Sequence, residues 1–192
     1  MERVDKILQH KKFRKCVKKN KKAEKKRIFC KHDMVHFLDV ARIAWILNLE
    51  KGLEIKKDVV YGAALLHDIG KLLLPNKVRD KYDDYDANDL IIVKKFQNDG
   101  LGLMRPEMGI DSGIRRIVAQ VHKMEYGDGR EEGKILKSSK ILKVANLFDT
   151  MTCMKLKQEA MSEIAAIKYL LLNKDEFDEE VVGALIKSIK IL

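Results

Sequence analysis

Cysteine and proline are scarce in this chain, and each scarcity excludes a class of protein. Three cysteines among 192 residues (Cys16, Cys30, Cys153) are odd in number and too sparse for a disulfide-stapled secreted scaffold. They imply a reduced, cytoplasmic protein. Two prolines and 11 glycines supply little of the turn chemistry that a sandwich or barrel of short strands requires. No run approaches the roughly 18 apolar residues that mark a membrane-spanning helix. The basic N-terminus leads into more charge rather than an apolar stretch, unlike a secretory signal. What is present is a hydrophobic fraction of 46% beside a charged fraction of 35%. That balance suits one helical domain, with or without an appendage.

The net charge of +10 is localised. Residues 1–29 hold 13 Lys/Arg and 3 Asp/Glu, which leaves 26 of each sign in the remainder. The body is therefore neutral, and residues 1–27 form a basic N-terminal helical arm ahead of a domain over 28–192. Eleven Lys/Arg fall within residues 11–27, enough for salt-sensitive attraction to nucleic-acid phosphates or to an acidic partner. Phe13 is the only aromatic there before residue 28, so base stacking has little support. Removing residues 1–27 is expected to leave a folded body.

Apolar residues recur at helical spacing along most of the chain. Val4, Ile7, Leu8, Phe13, Cys16 and Val17 predict one helix from residue 3 to about 27. His36, Val40, Ala44 and Leu47 share a face of a second helix. Asp58 is placed to cap a third, with Val60, Ala63, Ala64 and His67 inward and Gly70 ending it. Further helices are expected around Ile114–His122, at 136–156, at 160–172 and at 178–191, the last capped by Asp178. No strand alternation and no internal repeat is found, so the expected fold is all-α.

The chemistry concentrates in "AALLHDIGK", where the adjacent His67 and Asp68 end an otherwise apolar helix. A buried carboxylate is costly without a cation. Imidazole and carboxylate together suit Mn, Fe, Ni or Zn. Lys71 puts a positive charge where a phosphate could sit. His36 opens the helix "HFLDVARIA" and joins the same set as a third ligand, and His32 lies one turn earlier, on the same side, as a supporting residue or a plain surface one.

These segments resemble the core of the HD superfamily of metal-dependent phosphohydrolases, and their order resembles its HD-GYP branch. "HDIGKLLLP" continues that motif through Pro75. "RPEMG" stands where the branch has His-Pro-x-x-Gly, and "VHKMEYGDGR" where it has a His-His-Glu segment. "ILKVANLFDTMT" stands where it has Ala-Asp-x-x-Asp, and "FDEEVVGAL" resembles its closing helix. The similarity runs over residues 28–190. It implies an HD-type helical bundle that binds divalent metal and hydrolyses phosphoesters, in this branch usually cyclic di-GMP. Matched by position, it implies His36, His67 and Asp68 as metal ligands and Lys71 as a phosphate contact. His122 follows as ligand or phosphate contact, and Glu125 as a supporting residue.

The departures from the pattern are equally specific. Arg105 and Lys123 stand at histidine positions, and Asn146 stands at a ligand aspartate. Charged Arg and Lys repel a metal but can neutralise phosphate. The expectation is one ion (Mn, Fe, Ni, Zn or Mg) rather than two, held by His36, His67 and Asp68. Asn146 adds a carbonyl oxygen, and Asp149, one turn on, is able to swing in. Asp68 and Lys71 carry the catalytic roles, with Arg105, His122 and Lys123 available to a small phosphorylated or nucleotide substrate. The alternative is a catalytically weakened signalling or scaffolding domain, with or without nucleic-acid binding through the basic segment.

Overall fold

Acidic and hydroxyl side chains set where the helices start. Asp33 accepts from the amides of Val35 (2.9 Å) and His36 (3.4 Å) and opens α3 (Met34–Glu50). Asp86 opens α6 (Ala87–Leu103) through a reciprocal capping box with Asp89. Asp111 caps α7 (Ser112–Tyr126), Ser162 caps α9 (Glu163–Leu172), and Asp178 accepts from Val181 ahead of α10 (Glu179–Ile189). Each such cap contributes about 1 kcal/mol and fixes the phase of the helix that follows. The remaining helices are α1 (Glu2–Gln9), α2 (Lys11–Ala23), α4 (Lys57–Leu66), α5 (Asn76–Arg79) and α8 (Lys137–Thr152). The computed structural model describes residues 1–23, 33–79, 81, 85–106, 110–127, 134–153 and 160–189. Among the described residues there are ten α-helices and no strand, and no helix is long and apolar enough to cross a membrane.

Helix α4 is apolar nearly all round, with Val60 and Gly62 through Leu66 buried. A helix of that kind must be covered on several sides. Helices α3, α7, α8 and α1 pack on it, and α10 covers α3 from outside. Phe37, Val40, Ala41, Ala44 and Leu47 give α3 its buried stripe. The cap of α4 differs from expectation: Asp58 lies inside the first turn rather than ahead of it.

The basic segment also differs. Instead of one helix over 3–27, the backbone breaks at His10, whose ψ of 127° is extended. The break gives the two halves separate docking directions. Helix α1 buries Val4 and Ile7 and lies against α4, while α2 lies against the Lys71–Leu73 turn and buries Phe13 to 1% exposure. All three side chains belong to the main core. At about 1.5–3 kcal/mol per fully buried large side chain, they hold residues 1–23 on the body, so this stretch is not a loose arm.

Gly70 does not end its helix through a left-handed backbone. It sits in the right-handed helical region (φ −65°, ψ −38°), and α4 has already ended at Leu66. Its value is its size. A β-carbon on Gly70 would stand 2.5 Å from the Phe96 carbonyl oxygen, and one on Gly100 would stand 2.7 Å from the Gly70 nitrogen. Two glycines therefore let α6 press backbone to backbone against the turn that follows His67 and Asp68.

Candidate metal centre

Three helices and one turn bring the site together. His36 comes from the first turn of α3, and His67 and Asp68 follow α4. Asn146 and Asp149 come from the inner face of α8. His67 and Asp68 are fully buried, and His36 is nearly so. Ligand atoms of His36, His67 and Asp68 lie within 4.8 Å of one another.

The hydrogen bonds around His67 define what the cluster requires. Its Nδ1 lies 2.6 Å from the Ala64 carbonyl oxygen and must donate to it. Its Nε2 lies 3.1 Å from Asn146 Oδ1 and 3.4 Å from Asp68 Oδ2. The Asn146 amide cannot be turned round, because its Nδ2 donates to Glu125 Oε1 at 2.9 Å. Thus Nε2 faces two oxygens, and neither can donate to it. A cation, either a proton or a metal ion, reconciles them. His36 Nε2 adds a further donor 3.8 Å from Asp68 Oδ2. Two imidazoles, one carboxylate and one amide oxygen suit a borderline divalent ion, so the residues present fit the metal.

The second ring of contacts orients these groups. Asp149 Oδ2 accepts from His36 Nδ1 at 2.7 Å. That leaves His36 Nε2 directed at the cluster, the usual carboxylate support of a ligating histidine. Asp149 therefore stands behind His36 in this arrangement. Burial opposes the charge on His36, but Asp149 and Asp68 outweigh it and raise its pKa to about 9. For Asp68 burial is again opposed: Lys71, 3.1 Å away, and His67 hold its carboxyl well below the usual range. His122 Nε2 donates to the His67 carbonyl, and burial lowers its pKa. It therefore braces the loop as a neutral imidazole, with Nδ1 buried and unbonded among the described residues.

Sequence reasoning missed Gln97. It is 1% exposed on α6, and its Nε2 approaches Asp68 Oδ1 at 3.4 Å. The available signal was a polar residue on the stripe of Val93 and Gly100. Glu125 serves through Asn146, as described above. Arg105 and Lys123 are both exposed, Lys123 next to buried His122 on α7, so neither enters the buried cluster. His32 lies outside the described residues.

Comparison with known proteins adds four findings. A family model described as HD domain matches residues 18–181. An uncharacterized protein of Clostridium beijerinckii is 52% identical over 73 residues, 38% of this chain and 46% of that protein. The cyclic di-GMP phosphodiesterase response regulator RpfG of Xanthomonas campestris pv. campestris is 25% identical over 155 residues, 77% of this chain and 41% of its own length. The cyclic di-GMP phosphodiesterase PdeB of Borreliella burgdorferi is 25% identical over 168 residues, 82% and 43% respectively. The chain spans less than half the length of these curated relatives.

Proposed function

The chain belongs to the HD domain family, and on that premise we propose that His36, His67 and Asp68 hold a single divalent ion in a phosphohydrolase acting on a nucleotide or another small phosphoester. The observation that carries the reading is His67 Nε2, set between two acceptor oxygens in a fully buried site. When bound, the ion supplies a Lewis acid that polarises a phosphoryl oxygen and acidifies water. The residues do the rest. Asp149 keeps His36 turned inward, and the Ala64 carbonyl does the same for His67. Asp68 balances the cation from within the core, with Gln97 and Lys71 fixing its two oxygens. Lys71, whose side chain keeps 12% exposure, is the group that can meet phosphate charge from solvent. In the hydrolysis a water oxygen bonds to phosphorus and the ester P–O bond breaks. A proton from water ends on the leaving oxygen.

The substrate class follows the relatives, two of which are named for cyclic di-GMP. For this chain we expect little turnover of cyclic di-GMP. Its Asn146 offers a neutral oxygen where the resembling pattern has a carboxylate, and Arg105 and Lys123 offer no ligand. The test is metal analysis of the purified full chain, followed by hydrolysis of bis-p-nitrophenyl phosphate, p-nitrophenyl phosphate and cyclic di-GMP with Mn²⁺, Fe²⁺, Ni²⁺, Zn²⁺ or Mg²⁺. We expect one ion per chain and a model-ester activity that disappears in Asp68→Asn. No metal uptake refutes the reading. Metal uptake without turnover of any ester favours the second one, a signalling domain that keeps the metal and has lost hydrolysis. The neutral Asn146 is the observation on its side.

A further inference from the structure

The proposed hydrolase leaves one prominent feature unused, the outer face of α2. Between Lys11 and Lys22 this helix carries eight Lys/Arg and no acidic residue, and all eight are exposed. None forms an ion pair with a described residue. At 100° per residue the eight cations fall on one half of the helix circumference, centred on Lys11, Lys15, Lys18 and Lys22, while Phe13, Cys16 and Val17 fall on the other. The apolar half is already engaged: Phe13 is buried, and Cys16 and Val17 pack on the core.

We propose that the outer face of α2 is a sequence-independent docking surface for the phosphate backbone of nucleic acid. Charge density supports this occupant. Thirteen residues span about 20 Å, and a duplex of that length carries on the order of ten phosphates. Eight cations on a rigid rod of the same length are a close match. The rest of the chain is neutral beyond residue 29, so this is a discrete patch and not general basicity. An anionic membrane fits less well. An interfacial helix binds by burying its apolar face in lipid while its basic face meets the headgroups, and here the apolar face is consumed by the protein's own core. The scarcity of aromatics on α2 makes the mode backbone contact rather than base stacking.

The test uses the full chain, a fluorescent mixed-sequence duplex of about two helical turns, and titrations between about 50 and 200 mM salt. If five of the eight cations meet phosphates, log K should fall against log salt with a slope of about −4.5. In Lys11→Gln/Lys15→Gln/Lys18→Gln/Lys22→Gln the slope should become shallower by about 3 to 4, with at least a ~10-fold loss of affinity, independent of sequence. The same four positions changed to Arg should retain binding. All four are exposed, so melting curves should match the parent. Wild-type affinity and slope in the Gln variant overturn the proposal. So does tighter binding to phosphatidylcholine vesicles containing phosphatidylserine than to the duplex, since that would assign α2 to a membrane surface.

Discussion

Replacing Asn146 by Asp asks two questions of the metal centre at once. In the parent, Asn146 Nδ2 donates to Glu125 Oε1 at 2.9 Å while Oδ1 faces His67 Nε2 at 3.1 Å. Asp removes the donor and sets two carboxylates against each other. If both stay ionised, their repulsion at about 4 Å reaches ~4 kcal/mol at an effective dielectric constant of about 20. If one instead takes up a proton at pH 7, from an ordinary carboxyl pKa of about 4.3, the cost is about 3–4 kcal/mol. Local relaxation should reduce either figure to about 2 kcal/mol, or roughly 4–8 °C in Tm for a chain of this size. The metal reverses the sign. A charged oxygen replacing a neutral one should add about 1.5–3 kcal/mol, by analogy with hydrogen bonds to charged groups, or ten- to a hundredfold in affinity. Melting curves in EDTA and in saturating Mn²⁺, with calorimetric Mn²⁺ titration, measure both effects. We expect Asn146→Asp to be less stable than the parent without metal and to bind Mn²⁺ more tightly. Equal Tm in EDTA together with equal Mn²⁺ affinity would refute the reasoning, because position 146 would then face neither Glu125 nor the ion.

Four further outcomes follow from the structure. Asp149→Asn should weaken Mn²⁺ binding about 10- to 100-fold by loosening His36, with little change in the far-UV circular dichroism; unchanged affinity would remove Asp149 from its supporting role. Metal affinity should rise with pH, because the ion needs neutral His36 and must displace a proton held with a pKa of about 9; calorimetry should show up to ~tenfold tighter binding per unit between about pH 7 and 9. The metal-free protein should behave oppositely. The stabilisation from His36 is complete below its unfolded pKa of about 6.5 and is lost as pH rises through about 9, a change of at most ~3 kcal/mol. Asp68, with its pKa lowered, stabilises above the ordinary carboxyl range, and that contribution is lost only as pH falls through its depressed value. Melting in EDTA across pH checks both directions. Finally, Phe13→Ala should destabilise the fold by about 3 kcal/mol or more, visible in urea titration; a negligible loss would return residues 1–23 to the status of a dispensable arm.

Helix formation and helix placement were legible in the sequence because their causes are local. Three-to-four-residue spacing marked the buried stripes of α3, α7 and α8, and Asp178 sat where a cap was expected. His67 and Asp68 were equally legible, since adjacent ligand types ending an apolar helix leave few other uses for a buried carboxylate. Tertiary structure decided what spacing cannot carry. Periodicity says which side of a helix faces inward, not which side chain waits there. Only packing sets the Asp149 carboxylate against His36, 113 positions away. Gln97 was not singled out in the sequence, because only the close approach of α6 across two glycines brings it to Asp68. Arg105 and Lys123 are exposed, and spacing alone could not say how far they stand from the buried cluster. The basic stretch read as one continuous helix because nothing in its residues forbids one. Only the separate docking of Ile7 and Phe13 on different parts of the body gives a reason to break it at His10.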